Sequence, residues 1–421
     1  MSGRPYAYGA QDDSKKGAFM KPGVSLSGSV DITGVSIIPY QGMNGLEALR
    51  EKWKDVLSGM TRRRFFHLWE WHHSYLECLE TEPDAMFFFL FSEGDTPVAV
   101  FPLRLSTISK FGVRFNRWTF PSHNHLLLSD IICREDAIAL PLFQIFTRYL
   151  RRRKMPWDVI CLAHLLEDAC AVRVLRTHAN PKTLLQTEGR CDFTDTVGGY
   201  ETLSPKLSRN FRKSIKQARK HLYQLPDIAV TFAAGRQQLE DGLEAFMAVE
   251  SSGWKGLSGT GTAIALHPEL VRFYRELTRS LSVSGHIRIN TISAGERCIA
   301  AQFCIVEDDA VYMLKIGYDE AYRRCAPGKI LNELFIQKCM ADSDINFINY
   351  VTDAAWHKDW SPESYTKSLC YVFNGSAAGM LGLMGLKLSD IVKDVYQRRL
   401  KPRISEKIQK RVSNIVRRVM S

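Results

Sequence analysis

Apolar and polar positions along this chain follow two periods, and each change of period marks an element. In HIRINTISAGERCIAAQFCIVEDDAVYMLKIGYDE, His286 to Glu320, strand-like runs are broken at Ala294-Gly295-Glu296 and at Glu307-Asp308-Asp309. The pattern predicts three antiparallel strands joined by tight turns. From Pro327 to Met340 the period lengthens, with Ile330, Leu331, Leu334 and Phe335 on one helical face. A strand, INFINYVTD, follows. The same order occurs about 200 residues earlier. FFFLFSEGDTPVAVFPLRL, Phe87 to Leu105, predicts strand, turn and strand. A helix near Asp136 to Arg153 comes next, then the buried-strand candidate WDVICLAHL. An aromatic helical stretch, Phe65 to Glu80, precedes them. The letters are not repeated but the order of elements is, which points to a duplicated α/β domain.

Two basic amphipathic helices complete the pattern. In SPKLSRNFRKSIKQARKHL, Ser204 to Leu222, Ser204 reads as the cap and Pro205 as the first helical residue. Leu207, Phe211 and Ile215 form an apolar stripe among Lys206, Arg209, Arg212, Lys213, Lys216, Arg219 and Lys220. This helix is either a solvated basic face or an anion-facing helix beside the active cleft. Near the end, Ile404, Ile408, Val412, Ile415 and Val419 form a second stripe. Such a helix fits an anionic membrane surface, a partner protein or its own body. The expected organisation is a disordered segment 1–34, a first domain 35–196, a second domain 197–380 and a basic tail 381–421.

Charge refines this division. The 421 residues carry a formal net charge of +11. From Leu386 to Ser421 there are eleven Lys and Arg against three Asp and Glu, a net of +8 that leaves +3 for the other 385 residues. The body is therefore close to neutral, which argues against a nucleic-acid-binding surface unless the reaction itself uses an RNA donor. Hydrophobic content of 45% and charged content of 24% are those of a globular protein. The ten cysteines include no CxxC pair, so reduced thiols in a cytoplasmic protein are expected. No secretory signal and no run of about 18 apolar residues is evident. His72-His73 and His123-Asn124-His125 lack the spacing of metal ligands, and no metal is expected.

The most informative stretch is GYDEAYRRCAPGKILNELFIQKC, Gly317 to Cys339. Strand, basic turn, then Pro at a helix start is how a chain presents N–H groups to an anion. Cys325, Ala326, Gly328, Lys329 and Ile330 have N–H groups to offer, and Gly328 permits close approach. Arg323, Arg324 and Lys329 add charge-assisted bonds. The alternative is an ordinary connection with two solvated arginines.

Several stretches appear in a familiar order. They are LSRNFRKSIKQARK, ESSGWKGLSGTGTAI, HPELVRFYREL, GERCIAAQF, YMLKIGYDEAYRRCAPGKIL and VTDAAWHKDW. This series resembles the CelD-like acetyltransferases of cellulose and exopolysaccharide biosynthesis, within the GNAT superfamily. It is also similar to the peptidoglycan aminoacyltransferases, which carry two GNAT-like domains in tandem. The resemblance runs from Tyr200 to Leu369 and reaches the first domain only through the repeat.

The resemblance implies tandem GNAT-like α/β domains, each a mixed, mostly antiparallel sheet flanked by helices. The sheet splays open between its fourth and fifth strands, here Val311–Tyr318 and Asn346–Val351. Acetyl-CoA would enter that gap, along Lys315, Ile316 and Gly317, with its pyrophosphate on Arg323 to Lys329. A backbone N–H near Lys315 to Gly317 would stabilise the oxyanion. Usual GNAT loops carry more glycine than Pro327-Gly328, although the tandem relatives share this pair. Asp319, Asp353 and Glu250 are the candidate bases, with loop or helix capping the alternative for Asp319 and Asp353; Tyr318 or Tyr322 is the candidate acid, with packing the alternative. His357 is another possible base, the alternative being a solvated loop histidine. Trp254, Lys255, Lys358 and Trp360 look like family positions suited to a sugar or anionic acceptor, the alternative being core tryptophans with surface lysines. GLSGTGTA, Gly256 to Ala263, reads as a mobile loop.

The implied function is acyl transfer from acetyl-CoA to an amine acceptor, such as an amino sugar in polysaccharide or cell-envelope synthesis. Two others remain open. One takes its acyl group from aminoacyl-tRNA. The other is a non-catalytic scaffold for a synthase, held at the inner face of the membrane by the tail.

Overall fold

The computed structural model describes residues 34–110, 112–178 and 182–395. Its strands are β1 (Val35–Gln41), β2 (Met86–Glu93), β3 (Thr96–Lys110), β4 (Val113–Thr119), β5 (Ile132–Cys133), β6 (Val159–Leu166) and β7 (Thr183–Asp195). They continue with β8 (Ile228–Ala233), β9 (Ile287–Ala294), β10 (Arg297–Glu307), β11 (Ala310–Tyr318), β12 (Phe347–Asn349) and β13 (Glu363–Phe373). One sheet holds them in the order β1-β2-β3-β4-β6-β13-β7-β12-β11-β10-β9-β8, with β5 paired to β3. Among the described residues the parallel neighbours are β4 with β6 and β11 with β12. The fold is thus a mixed, mostly antiparallel sheet with helices on its faces, as the sequence predicts.

From the middle outwards the sheet reads alike in both directions. A long strand, then a strand in parallel pairing, then a four-strand antiparallel meander appear on each side. The long strands are exchanged. β7 belongs to the first half of the sequence but pairs with β12 of the second. β13 closes the second half but pairs with β6 of the first. They also pair with each other, from Glu363 opposite Phe193 to Val372 opposite Thr183. The sheet therefore does not divide at residues 196 and 197, where the sequence reading places a domain boundary.

Several helices begin later than their sequence pattern predicts, each for a local reason. Ser204–Lys206 forms a separate 3-10 turn, and Ser208 caps the basic helix Arg209–Leu222 by accepting from Phe211 N at 3.1 Å. Pro141 splits the expected helix into a 3-10 turn, Asp136–Ala139, and a helix, Leu142–Arg152. The aromatic stretch likewise yields a turn at Phe65–His67 and a helix at Trp69–Cys78.

Two large apolar cores and a small third one pack the sheet against its helices. The larger joins the halves: Trp53, Trp71 and Phe146 share it with Phe246, Phe273 and Phe303. The second lies under the basic helix, where Leu207, Phe211, Ile215 and Leu222 meet Ile330, Leu331 and Phe335 of the helix Pro327–Met340. All ten cysteines are free. Among the described residues no helix is long and apolar enough to cross a membrane. The amphipathic stripe from Ile404 to Val419 and most of the segment 1–34 lie outside the described residues.

Candidate functional site

The site is built by a failure of strand pairing. β11 pairs with β12 only over Ala310–Phe347, Val311–Ile348 and Tyr312–Asn349. Beyond Asn349 the neighbouring chain turns off the ladder: Val351 has φ 53°, and its N–H donates to Asn349 Oδ1 at 2.8 Å. This shortens the expected strand INFINYVTD to three residues. β11 runs on to Tyr318 with β10 along one edge and, among the described residues, no strand along the other. A bulge lies in the same segment, because Phe303 faces Lys315 while Cys304 faces Met313, leaving Leu314 extra. Among the described residues the first half has no such wedge. There β4 pairs with β6 through Thr119, its last residue.

At the end of β11 the chain enters the basic turn. Glu320–Cys325 is a 3-10 helix, not an open loop, and Ala326 takes the left-handed conformation with φ 42°. The helix Pro327–Met340 starts there. The turn consumes part of the expected N–H cradle. Ala326 N donates to Arg323 O, and Lys329 N and Ile330 N both donate to Ala326 O. Gly328 N–H has no such backbone partner among the described residues, and Gly328 sits 3.5 Å from Tyr318 when a Cβ is placed on it.

The basic helix flanks this turn. Together they line a cleft of about 350 Å³ formed by Ser214, Gln217, Ala218, His221, Arg324, Ala326 and Lys329. Lys329 Nζ donates to Ser214 Oγ at 3.2 Å and lies 4.7 Å from the Phe211 ring centroid. Arg219 is held by Glu333 at 2.5 Å. Sequence reasoning found the helix but not Ser214, Gln217 or His221. Their spacing of three and four, between the cationic and apolar stripes, is the signal that was available.

The other face of β11 carries a different set of groups. Phe303, opposite Lys315, packs its ring against Tyr274 at 5.0 Å, so Lys315 shares that face. Gly317 is also on it, and an added Cβ would lie 2.8 Å from Glu250 Cα. Glycine is required at this close approach. Glu250 is buried, accepting from Ile264 N at 2.9 Å and pairing with Lys255 at 2.9 Å. Lys255 also donates to Ile316 O at 3.1 Å. Tyr274 O–H meets His125 Nδ1 at 3.0 Å. Burial beside Lys255 brings the Lys315 ammonium down to about 8, and burial beside Lys315 also lowers His123 and His125.

The expected site residues divide accordingly. Lys315, Ile316 and Gly317 line the wedge, and Arg323, Arg324, Cys325, Ala326, Gly328 and Lys329 form the turn beyond it. Cys325 is buried. Asp319 is placed at the strand end but is not a free base. Its Oδ1 accepts from Ala321 N at 2.9 Å, and its Oδ2 lies 2.5 Å from Arg297 Nη2. Glu250 is equally engaged. Asp353 is exposed in the bend after β12, and Tyr318 is 39% exposed beside Gly328. Trp254 is exposed, with Lys255 Nζ 5.8 Å from its ring centroid. Lys358 is exposed, whereas Trp360 is 2% exposed and packs edge-on against Phe211 at 5.0 Å. Trp360 is therefore a core residue that has no surface to offer a substrate.

Two local expectations also change. His357 is buried, not solvated: Nδ1 meets Asp192 Oδ2 at 3.0 Å and the ring stacks on Tyr350. Its partner comes from β7, the exchanged strand, which no local pattern reveals. The stretch Gly256 to Ala263 is tied down by backbone bonds, including Gly259 N to Gly256 O, Thr260 N to Trp254 O and Ala263 N to Lys255 O. His72 is buried on Phe66 O, and of the grouping His73, Glu77 and Glu276, the last is held by Arg279 through both oxygens.

Residues 209–359 match the family model described as "Acetyltransferase (GNAT) domain". No curated protein matches the chain. Solved structures with a similar fold include L-PGS from Bacillus licheniformis, at 13% identity and a TM-score of 0.48, covering 79% of this chain and 95% of that one. FemX matches at 10% identity and a TM-score of 0.49, covering 82% of this chain and 98% of that one. A tandem GNAT protein from the clavulanic acid biosynthesis pathway matches at 10% identity and a TM-score of 0.43, covering 81% and 100%. The wedge, the basic turn and the exposed strand edge all lie within the matched residues 209–359, and these residues carry a GNAT-type acetyltransferase domain.

Proposed function

We propose that the protein is an acyl-CoA-dependent N-acyltransferase that uses acetyl-CoA and acylates an amine. The observation that carries this is the unpaired edge of β11 running directly into a basic turn. A pantetheine arm extends its amide groups along a free strand edge as a further strand would. The pyrophosphate would then reach Gly328 N–H, Arg324 and Lys329 at the helix start.

The chemistry follows from what the edge exposes. The amine nitrogen attacks the thioester carbonyl, the C–N bond forms, and the C–S bond breaks. A backbone N–H of the bulged segment Leu314 to Gly317 holds the developing oxyanion. Asp319 and Glu250 are both committed to partners, so the amine's proton passes to the exposed Asp353 or to water. Tyr318, exposed beside Gly328, is the phenol placed to protonate the departing thiolate. The acceptor we infer is an amino sugar or related amine of polysaccharide or envelope synthesis, with Trp254 offering an exposed ring to stack on it. A cytoplasmic location, peripheral to the membrane through the basic tail, fits this role.

The test is calorimetric titration with acetyl-CoA, on the native chain and on Arg324→Ala with Lys329→Ala. Each lost charge-assisted bond should cost about 1.5 kcal/mol, so the double variant should bind roughly 100-fold more weakly. Equal affinity for both proteins would remove the basic turn from the site.

A second reading takes the acyl group from aminoacyl-tRNA, and one observation favours it. Arg209, Arg212, Lys213, Lys216 and Lys220 are exposed on one stripe of the basic helix and have no ion pair among the described residues. RNA binding that weakens steeply with salt, and is lost when this stripe is neutralised, would select this donor.

A further inference from the structure

Lys315 is the one cation of the β11 face that lacks a partner in its cluster. It makes no hydrogen bond and no ion pair among the described residues. The nearby carboxylate, Glu250, is already committed to Lys255 and to Ile264 N. Lys255 is in turn fixed on Ile316 O. Two imidazoles from the first half of the chain reach the same face: His125 meets Tyr274 O–H at 3.0 Å, Tyr274 packs on Phe303 opposite Lys315, and the His123 ring centroid lies 5.4 Å from that of His125. His123, His125, Lys255 and Lys315 are all partly exposed, so the cluster is a wall and not a core.

The first half reaches this place through Phe120 to Ile131. That segment follows β4 as the basic turn follows β11. In the second half this connection forms the basic turn. In the first half it supplies histidines to the opposite face of the other half's wedge.

Resting on the acyltransferase reading, we propose that this cluster is the acceptor subsite and that it takes an amine bearing a carboxylate close to the nucleophilic nitrogen. Lys315 pairs with the carboxylate, and His123 and His125 donate to it or to a neighbouring hydroxyl. Three observations support the assignment. The cluster lies on the face of β11 opposite the phosphate cleft, so donor and acceptor approach the thioester from different sides. Lys315 flanks the bulge, the segment to which the acyltransferase reading assigns the oxyanion. An unpaired, half-desolvated ammonium between neutral imidazoles is costly unless an anion completes it.

The carboxylate has two chemical sources, an amino acid and an amino-sugar acid. The test separates them. Full-length protein with acetyl-CoA is given a panel of free amino acids, their methyl esters, glucosamine, and a 2-amino-2-deoxyuronic acid. Acetylated product is measured by mass spectrometry and KM is determined for each substrate used. The expected result is product from carboxylated amines, at least 10-fold below that level for their neutral counterparts. Lys315→Gln should raise the acceptor KM at least 10-fold for carboxylated amines and far less for neutral ones. His125→Gln should give a smaller rise, and thermal melts should show both variants folded. Preference for glucosamine or esters, equal loss on all acceptors in Lys315→Gln, or CoA binding with no carboxylated amine accepted would each overturn the proposal. Failure of the native protein to bind CoA would instead overturn the acyltransferase reading on which it rests.

Discussion

Gly317 shows how one residue sets the site. Its missing side chain lets β11 lie against the backbone of Glu250, and a methyl group there would meet Cα at 2.8 Å. Gly317→Ala should cost about 1–3 kcal/mol, read as a fall in Tm, with acyl transfer lost further as the two elements separate. Lys315 makes a pH-dependent contribution whose sign is fixed by its environment. Its ammonium is held at about 8, below the ordinary 10.5. Between these values the unfolded chain binds more protons than the folded one. Stability contributed by this residue therefore rises as pH goes from about 8 to about 10.5 and is lost as pH falls through 8. Urea midpoints of the native protein and Lys315→Met at pH 7.5 and 9.5 check this, because other titrating groups cancel in the difference. At Tyr318, replacement by Phe should lower kcat by about 10-fold or more and leave the Kd for CoA unchanged. An unchanged kcat would remove the phenol from the proton path.

At the scale of elements, the exchanged strands matter most. β13 lies between β6 and β7, and β7 lies between β13 and β12. A fragment of residues 197–380 therefore keeps β13 but loses both of its neighbours, and it leaves one edge of β12 unpaired. Unpaired edges of this length invite aggregation. We expect that fragment to show no cooperative melt by circular dichroism, although it spans all of the residues matched as a GNAT domain. A soluble, cooperatively melting fragment would show that β13 can pair within its own half. The basic helix is an element with three separate faces. One is buried on Ile330 and Phe335, one lines the cleft, and one presents unpaired cations to solvent.

For the whole molecule, the shared core and the exchanged strands make the two halves one folding unit. Phe65 of the first half packs against Tyr312 of the second at 4.9 Å, and Trp71 against Phe273 at 5.5 Å. Arg63 also reaches Glu307 at 3.3 Å and Asp308 at 2.5 Å. Differential scanning calorimetry should give a single transition for the full chain. Two resolved transitions would mean that the halves melt independently despite the common sheet. The shared unit has a functional consequence. The second half owns the wedge and the basic turn, while the first half brings His123 and His125 to the far side of the same strand.

Local patterns in the sequence determined much of this molecule. The meander from Ile287 to Tyr318, the helix after Pro327 and the cations of the basic turn all follow from residues that are near neighbours in the chain. Alternation, capping and turn chemistry act over a few residues, so they can be read without the fold. The repeat of element order was legible for the same reason. What only the tertiary structure decided depends on residues far apart. The exchange of β7 and β13 joins residues 172 apart, as at Ser364 and Asp192. The same distance hides the buried His357–Asp192 pair. Whether a carboxylate is free is also a tertiary property: Asp319 is silenced by Arg297 on a neighbouring strand and Glu250 by Lys255 across a turn. Trp360 has the composition of a binding residue, but the basic helix covers it. Charge and shape are carried by single residues, whereas partnership and exposure are set by the packed whole.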